Sequence, residues 1–269
     1  MKILVTGSAG FLGQAVMDEI RARGDEPVGF DLVDGWDIRN ETDVFDAVAS
    51  VDAVIHLAGV LGTDELFDDV ENAVEVNLLG GLHVVEAVHE FHTPVLIIIS
   101  QPHIWNNPYE ATKGALIRIA RGFEAQGNFR LSECVVYNAF GPGPGGHASK
   151  LIPRFSTAAW NGTPMEINGD GQALVDLVHL DDIAKELVRR VYSAEIPHQE
   201  GASGYQLTVE QVAWKINDVV RDHGGPGSVL EFDHTRRGET AIGGAASTYP
   251  CAGLDFGQLE EAILSYKPE

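Results

Sequence analysis

Apolar and polar positions alternate along this chain in a rhythm that switches between two periods. Short continuous apolar runs at 2–6, 27–31, 52–57, 95–100 and 131–136 have the length and β-branched content of fully buried strands. Between them, apolar residues recur at three- and four-residue spacing, predicting helices at 12–23, 41–49, 65–89 and 110–126. Strands that alternate with helices in this way build a parallel, doubly wound α/β sheet with helices on both faces. Beyond residue 137 the stretch 138–146, rich in glycine and proline, reads as loop. A mixed pattern follows: helix 149–160, strand 165–167, a turn at 168–171, strand 174–180, helix 181–193, a strand near 204–207 and helix 209–222, the last opened by a Thr208 to Gln211 capping box. This organisation predicts a dinucleotide-type domain over 1–140, with 171–195 returning to its sheet. A small C-terminal α/β lobe over 141–170 and 196–269 would handle substrate.

The junction between the first strand and the first helix changes this picture from a fold to a site. Gly7, Gly10 and Gly13 stand three residues apart just where the strand gives way to the helix. Glycines there let backbone N–H groups approach a pyrophosphate, and the new helix directs its positive end at the anion. The second strand ends in Asp31, roughly 20 residues on, as a dinucleotide-binding βαβ unit requires. A carboxylate there accepts from the adenosine ribose and repels a 2′-phosphate, which favours NAD over NADP. The plainer alternative is a glycine-rich turn with an ordinary strand-end acid. Ala58 and Gly59 close the third strand with small residues, where an open α/β sheet keeps its ligand crevice. His56, just before them, reads as a packing residue, and Asn77 as either a polar residue that kinks its helix or a solvated one.

Tyr109 and Lys113 open the helix after the fourth strand and share one face at i and i+4. An ammonium beside a phenol favours the phenolate and is expected to lower the tyrosine pKa, making Tyr109 a general base. Composition narrows the partners. The formal charge of −22, from 40 acidic and 18 basic residues, argues against nucleic acid and anionic membranes. No apolar run approaches the roughly 20 residues of a membrane span, and the chain enters a strand at once, so no signal peptide is expected. Two cysteines, Cys134 and Cys251, suit a reducing, cytoplasmic compartment. His89 and His92 lack a third ligand, so no metal is expected. There is no Gly-x-Ser-x-Gly, Walker sequence or zinc-type cysteine pair.

Taken in order, Gly7-Ser8-Ala9-Gly10-Phe11-Leu12-Gly13, Asp31, Asp37-Ile38, His56-Leu57-Ala58-Gly59, Asn77, Pro108-Tyr109-Glu110-Ala111-Thr112-Lys113, Asn138-Ala139-Phe140-Gly141-Pro142-Gly143, Gly169-Asp170-Gly171, Asp176-Leu177-Val178-His179-Leu180-Asp181-Asp182 and Arg236-Arg237-Gly238-Glu239 resemble the extended short-chain dehydrogenase/reductases. The resemblance is to the NAD-dependent nucleotide-sugar epimerases and dehydratases, over nearly the whole chain. It implies a Rossmann-type sheet with NAD across Gly7, Gly10, Phe11, Leu12 and Gly13. Asp31 would meet the adenosine ribose, Asp37 and Ile38 the adenine, and Leu57, Ala58 and Gly59 would line the cofactor. Lys113 would bond the nicotinamide ribose while Tyr109 takes a proton from a sugar hydroxyl. Asn138 and Arg236 would bind the substrate diphosphate, and helices 65–89 and 110–126 would form a homodimer through a four-helix bundle.

The same resemblance shows where the chain departs from the family. Gln101 stands where the family has Ser or Thr, and a carboxamide can donate to a substrate oxygen without relaying a proton. The next two positions, Asp and Glu in dehydratase relatives, are Pro102 and His103, which disfavours dehydration. The loop before Tyr109 is shorter by about twenty residues than in relatives, and Val175 replaces an arginine of the substrate site. The expected activity is therefore NAD-dependent epimerisation of a nucleotide sugar, with Tyr109, Lys113 and Gln101 as the catalytic set. The alternatives are a weakly catalytic dinucleotide-binding protein and a keto-sugar or carbonyl reductase on the same fold.

Overall fold

The structure, a computed structural model, describes residues 1–62, 65–101, 107–143, 150–193, 200–235, 247 and 249–268. The chain divides into two compact units, Met1–Val136 with Ala184–Gln199, and Tyr137–Ile183 with Glu200–Glu269.

In the first unit five strands, β1 (Lys2–Thr6), β2 (Glu26–Phe30), β3 (Ala53–His56), β4 (Val95–Ser100) and β5 (Arg130–Val135), form one sheet in the order β2-β1-β3-β4-β5. Every pairing is parallel. Ile3 to Val5, Val54 and Ile55, and Leu96 to Ile98 are all fully buried. That is what continuous apolar runs become when helices cover both faces. The helices are α1 (Phe11–Ala22), α2 (Glu41–Val48), α3 (Val70–Ala73), α4 (Gly81–Glu90) and α5 (Pro108–Glu124). The chain leaves β1 for β2 on one side and returns to β3 on the other, so the order reverses at β1, where such sheets open a crevice beyond their strand ends.

The single helix expected over 65–89 is broken into pieces. A 3-10 turn at Glu65–Phe67 and the short α3 precede a π-helical stretch, Val74–Gly80, before α4 begins. Asn77 lies inside the π-helical stretch and is wholly buried, which rules out the solvated reading and leaves it at an irregularity of its helix.

The second unit contains β6 (Asn138–Phe140), α6 (Leu151–Asn161), β7 (Met165–Asn168), β8 (Leu174–His179), β9 (Gln206–Thr208), α8 (Val209–Asp222), β10 (Leu230–Asp233) and α9 (Phe256–Leu264). The capping box of α8 is formed: Gln211 N donates to Thr208 Oγ1 at 3.1 Å and Thr208 N to Gln211 Oε1 at 2.8 Å. Residues 138–140, expected as loop, are the strand β6, anchored by Phe140 in a cluster with Phe155, Leu177 and Val212. β8 also departs from expectation. It pairs with β6 and β9 in a three-stranded sheet instead of rejoining the large one. The physical reason is that Leu177 belongs to the second core, whereas α7 (Leu180–Tyr192) is tied to the first unit from Ala184 onward. Arg190 donates to Ser132 Oγ at 3.0 Å and Glu133 O at 2.6 Å, and its charge is met by the buried Glu186 at 2.8 Å. β10 and α9 had no counterpart in the sequence reading. β10 lies parallel to β7, and α9 is fixed by Ile263, whose carbonyl accepts from Trp160 Nε1 at 3.0 Å.

Candidate active site

The glycine turn is built by close approach. Gly7 has φ +74°, and a Cβ on it would stand 2.8 Å from Ala58 N. One on Gly13 would stand 2.0 Å from the Gly7 carbonyl oxygen. Only glycines let α1 begin this close to β1 and β3. Gly10 precedes α1, and the first helical hydrogen bond runs from Gln14 N to Gly10 O at 3.0 Å. The N–H groups of Phe11 and Leu12 therefore come before the bonded run, with no side-chain cap and no acidic residue in the first turn. Asp31 is drawn to the same place: its carboxylate accepts from Ala9 N at 2.9 Å and Val33 N at 3.1 Å. Asp37 holds Arg39 at 2.6 Å, and the ion pair keeps its carboxyl below the ordinary range. Ile38 points into the core, where a Cβ on Gly80 would touch it at 2.6 Å.

Beside this turn lies a cluster of buried polar groups. Asn107 caps α5 by accepting from Glu110 N at 2.9 Å, and Pro108 occupies the first turn, which sets Tyr109 and Lys113 on the inward face. The Tyr109 ring packs with Leu66, Ala73 and Val60. The Lys113 stem is buried, and its ammonium donates to Ala58 O at 2.9 Å. Asn77 reads both edges of one residue, accepting from Val60 N at 2.8 Å and donating to Val60 O at 3.1 Å. Asn77 Nδ2 also reaches Thr112 Oγ1 at 3.4 Å. Gly59 sits under this pair, since a Cβ on it would meet Asn77 Oδ1 at 2.8 Å and Lys113 Nζ at 3.3 Å. Thus the strand end 57–60 is held by Asn77 and Lys113, and its small residues are the condition of that grip.

The electrostatics of the pair differ from the expectation for Tyr109. Burial pushes its phenol up to about 12, where a lowered pKa was expected. Burial also brings Lys113 down from 10.5 to about 7. The shared helix face holds, but the ammonium is directed at the Ala58 carbonyl, so desolvation governs both groups.

Gln101 follows directly on β4, partly exposed. Ser100, its neighbour, is spoken for: its hydroxyl donates to Glu133 Oε1 at 2.9 Å. In the second unit Asn138 Oδ1 accepts from Asp176 N at 3.2 Å, stitching β6 to β8. Arg236 lies outside the described residues, as do Pro102 and His103. Sequence reasoning missed the role of Asp176, whose buried carboxylate accepts from Ser203 N, Ser203 Oγ, Gly204 N and Ser247 N at 2.7 to 3.3 Å. Its donors come from segments remote in sequence, so no local signal announced them. Among the described residues no group of three or more His, Cys, Asp or Glu is placed to hold a metal, and no helix is long and apolar enough to cross a membrane.

The sequence and the fold have known counterparts. The low-salt glycan biosynthesis protein Agl12 of Haloferax volcanii is 25% identical over 88% of this chain and 87% of its own. A dTDP-glucose 4,6-dehydratase of Mycolicibacterium smegmatis is 28% identical over 68% of this chain and 66% of its own. Among solved structures, the Thermus thermophilus UDP-glucose 4-epimerase in complex with NAD has the same fold, with a TM-score of 0.83 at 20% identity and 99% of each chain covered. MoeE5 in complex with UDP-glucuronic acid and NAD gives 0.83 at 21%, with 98% of each chain covered. Residues 3–199, well over half of the sequence, match one family as a whole, and the chain belongs to it: the NAD dependent epimerase/dehydratase family.

Proposed function

We propose that the protein is an NAD-dependent oxidoreductase that epimerises a nucleotide sugar. The observation that carries this reading is the Lys113 ammonium. It is buried, and only one of its three N–H groups has an acceptor among the described residues, the Ala58 carbonyl beside the glycine turn. A buried ammonium with donors left over is poorly placed in an isolated chain and well placed beside a ligand with hydroxyl groups. The residues fit NAD. Gly7, Gly10 and Gly13 with the N–H groups of Phe11 and Leu12 suit the pyrophosphate, and Asp31 suits the adenosine ribose. The segment Leu57, Ala58 and Gly59 borders the nicotinamide half, with Asp37 and Ile38 assigned to the adenine end. Bound NAD supplies a hydride acceptor that can also return the hydride, which permits inversion with no net redox change.

In this reading Lys113 orients the nicotinamide ribose, and Tyr109, ionised in the complex, takes the proton of the sugar hydroxyl as its carbon gives up a hydride and returns it when the hydride comes back. Gln101 donates to the sugar oxygen, while Asn138 and Arg236 receive the diphosphate. Arg236 is suited to this by its forked donors. A cytoplasmic setting and a homodimer accompany the reading; the dimer is supported by Leu79 and Ile119, large apolar residues exposed on the two helical segments assigned to the bundle. Nucleic acid and membranes have no place in it, as the acidity of the chain argues. A second reading, dinucleotide binding with little turnover, is favoured by the phenol at about 12. Reduction of enzyme-bound NAD by added UDP- and dTDP-sugars, followed by nicotinamide absorbance, separates the two. Epimerisation predicts a signal that falls ~100-fold or more in Tyr109→Phe. An NAD-loaded enzyme inert to all of them refutes it, and turnover that needs fresh NADH each cycle points to the reductase.

A further inference from the structure

His56 ends β3 as the register partner of Thr6, wholly buried, and nothing in the functional reading uses it. Its Nδ1 lies 2.8 Å from Thr6 Oγ1, and its Nε2 has no hydrogen-bond partner among the described residues. A plain packing role would be served better by leucine, since a buried ring nitrogen without a partner is destabilising. Burial, with the Lys113 charge nearby, keeps the ring neutral, well below its usual range. In either tautomer of a neutral ring, Nδ1 and a hydroxyl share one hydrogen bond.

The Thr6 hydroxyl makes a second contact, accepting from Ala58 N at 3.2 Å. Ala58 in turn gives its carbonyl to Lys113 Nζ at 2.9 Å. Ala58 is therefore gripped on both sides of its Cα, by Thr6 at the N–H and by Lys113 at the C=O, with only the two soft dihedrals of that residue between them. Gly7 has no Cβ to push this strand end away.

We propose that His56 is a positioning residue for Lys113: through Thr6 it sets the Ala58 carbonyl that anchors the ammonium, and so sets where the remaining two N–H donors point. That the donors serve NAD rests on the functional reading above; that His56 sets them does not, and the test keeps the two apart.

The protein carries six lysines, of which Lys113 alone is buried. With lysine labelled at 13Cε, the NAD-free wild type should show one signal titrating near 7, apart from the rest. His56→Leu should move that midpoint by ~1 pH unit and, if the donors serve NAD, weaken its binding ~10-fold. His56→Asn places a polar atom where Nδ1 was and should restore both readouts, whereas His56→Gln reaches the Nε2 position and should not. An unchanged midpoint in His56→Leu, or rescue by Gln as complete as by Asn, overturns the proposal. Should His56→Leu fail to fold, Thr6→Val keeps the shape and removes the relay hydroxyl; a wild-type Lys113 midpoint in that variant overturns it equally. Wild-type protein that binds no NAD would sink the functional reading, while the lysine titration would still decide the role of His56.

Discussion

Replacing Lys113 by methionine should make the isolated protein more stable while removing its function. Lys113→Met keeps the length and apolar stem of the side chain and deletes the ammonium. In the folded chain burial brings Lys113 to about 7, from 10.5. Between those values the unfolded chain holds the proton and the folded chain has released it, so wild-type stability rises with pH by ~1.4 kcal/mol per pH unit. Below pH 7 the whole penalty is in force, about 5 kcal/mol. The variant escapes this but leaves the Ala58 carbonyl without its donor, a loss of ~1 kcal/mol. The net gain is then about 4 kcal/mol at pH 6 and about 1 kcal/mol at pH 9. Urea unfolding of NAD-free wild type and variant, compared pH by pH, isolates this group because every other titration cancels in the difference. A wild type at least as stable as the variant at pH 6 would refute the reasoning, as would a gap that stays constant to pH 9. The variant should also lose NAD binding, a trade of function for stability common at sites that bury a charge.

Gly13→Ala should cost ~3 kcal/mol and abolish NAD binding, because its Cβ would lie 2.0 Å from the Gly7 carbonyl oxygen; calorimetric binding with urea unfolding checks both. Asp176→Ala should lower stability by ~3 kcal/mol or more, since it leaves the buried donors of Ser203, Gly204 and Ser247 without their acceptor; denaturation that matches the wild type would contradict this. With a charge of −22, thermal unfolding should move upward by several degrees from ~0.1 M to ~1 M KCl, as the screening length shrinks from ~10 to ~3 Å; a fall would oppose it. Subtracting the ultraviolet titration of Tyr109→Phe from that of the NAD-free wild type should leave no phenolate signal below about pH 10, given a phenol near 12.

The parts of this protein that were legible in its sequence are those fixed by neighbours in the chain. The parallel sheet follows from apolar runs, the glycine turn from three small residues at a strand end, and the α8 start from Thr208 and Gln211, all within a few residues of one another. Asp31 beside the turn was legible because a βαβ unit has a nearly constant length. What escaped depends on distant partners. Asn77 could be read as solvated or kinking because its use depends on Val60, seventeen residues earlier across a break in the helix. β8 carries the apolar pattern of a sheet strand, and that pattern is indifferent to which sheet receives it; Phe140 and Val212 decided. Asp176 looked like one more acid in an acidic chain until its four donors arrived from 203–204 and 247.

The same distinction governs what a tyrosine and a lysine four residues apart can mean. Helix geometry guarantees that Tyr109 and Lys113 share a face, and burial guarantees that each is pressed toward its neutral form. With a phenol near 12, only ~1 in 10⁵ copies would be ionised at pH 7. The spacing alone therefore supplies no base. Whether the ammonium stabilises a phenolate depends on where its charge is anchored, and in this chain the anchor is the Ala58 carbonyl. That carbonyl is placed by residues on β1, β3 and the π-helical stretch: Thr6 holds the Ala58 N–H, His56 holds Thr6, and Asn77 holds Val60. The direction of the Lys113 charge on α5 is thus set at the end of β3, and under the proposed function Tyr109, whose phenol burial holds near 12, would be activated only where a ligand gives the remaining Lys113 donors their acceptors.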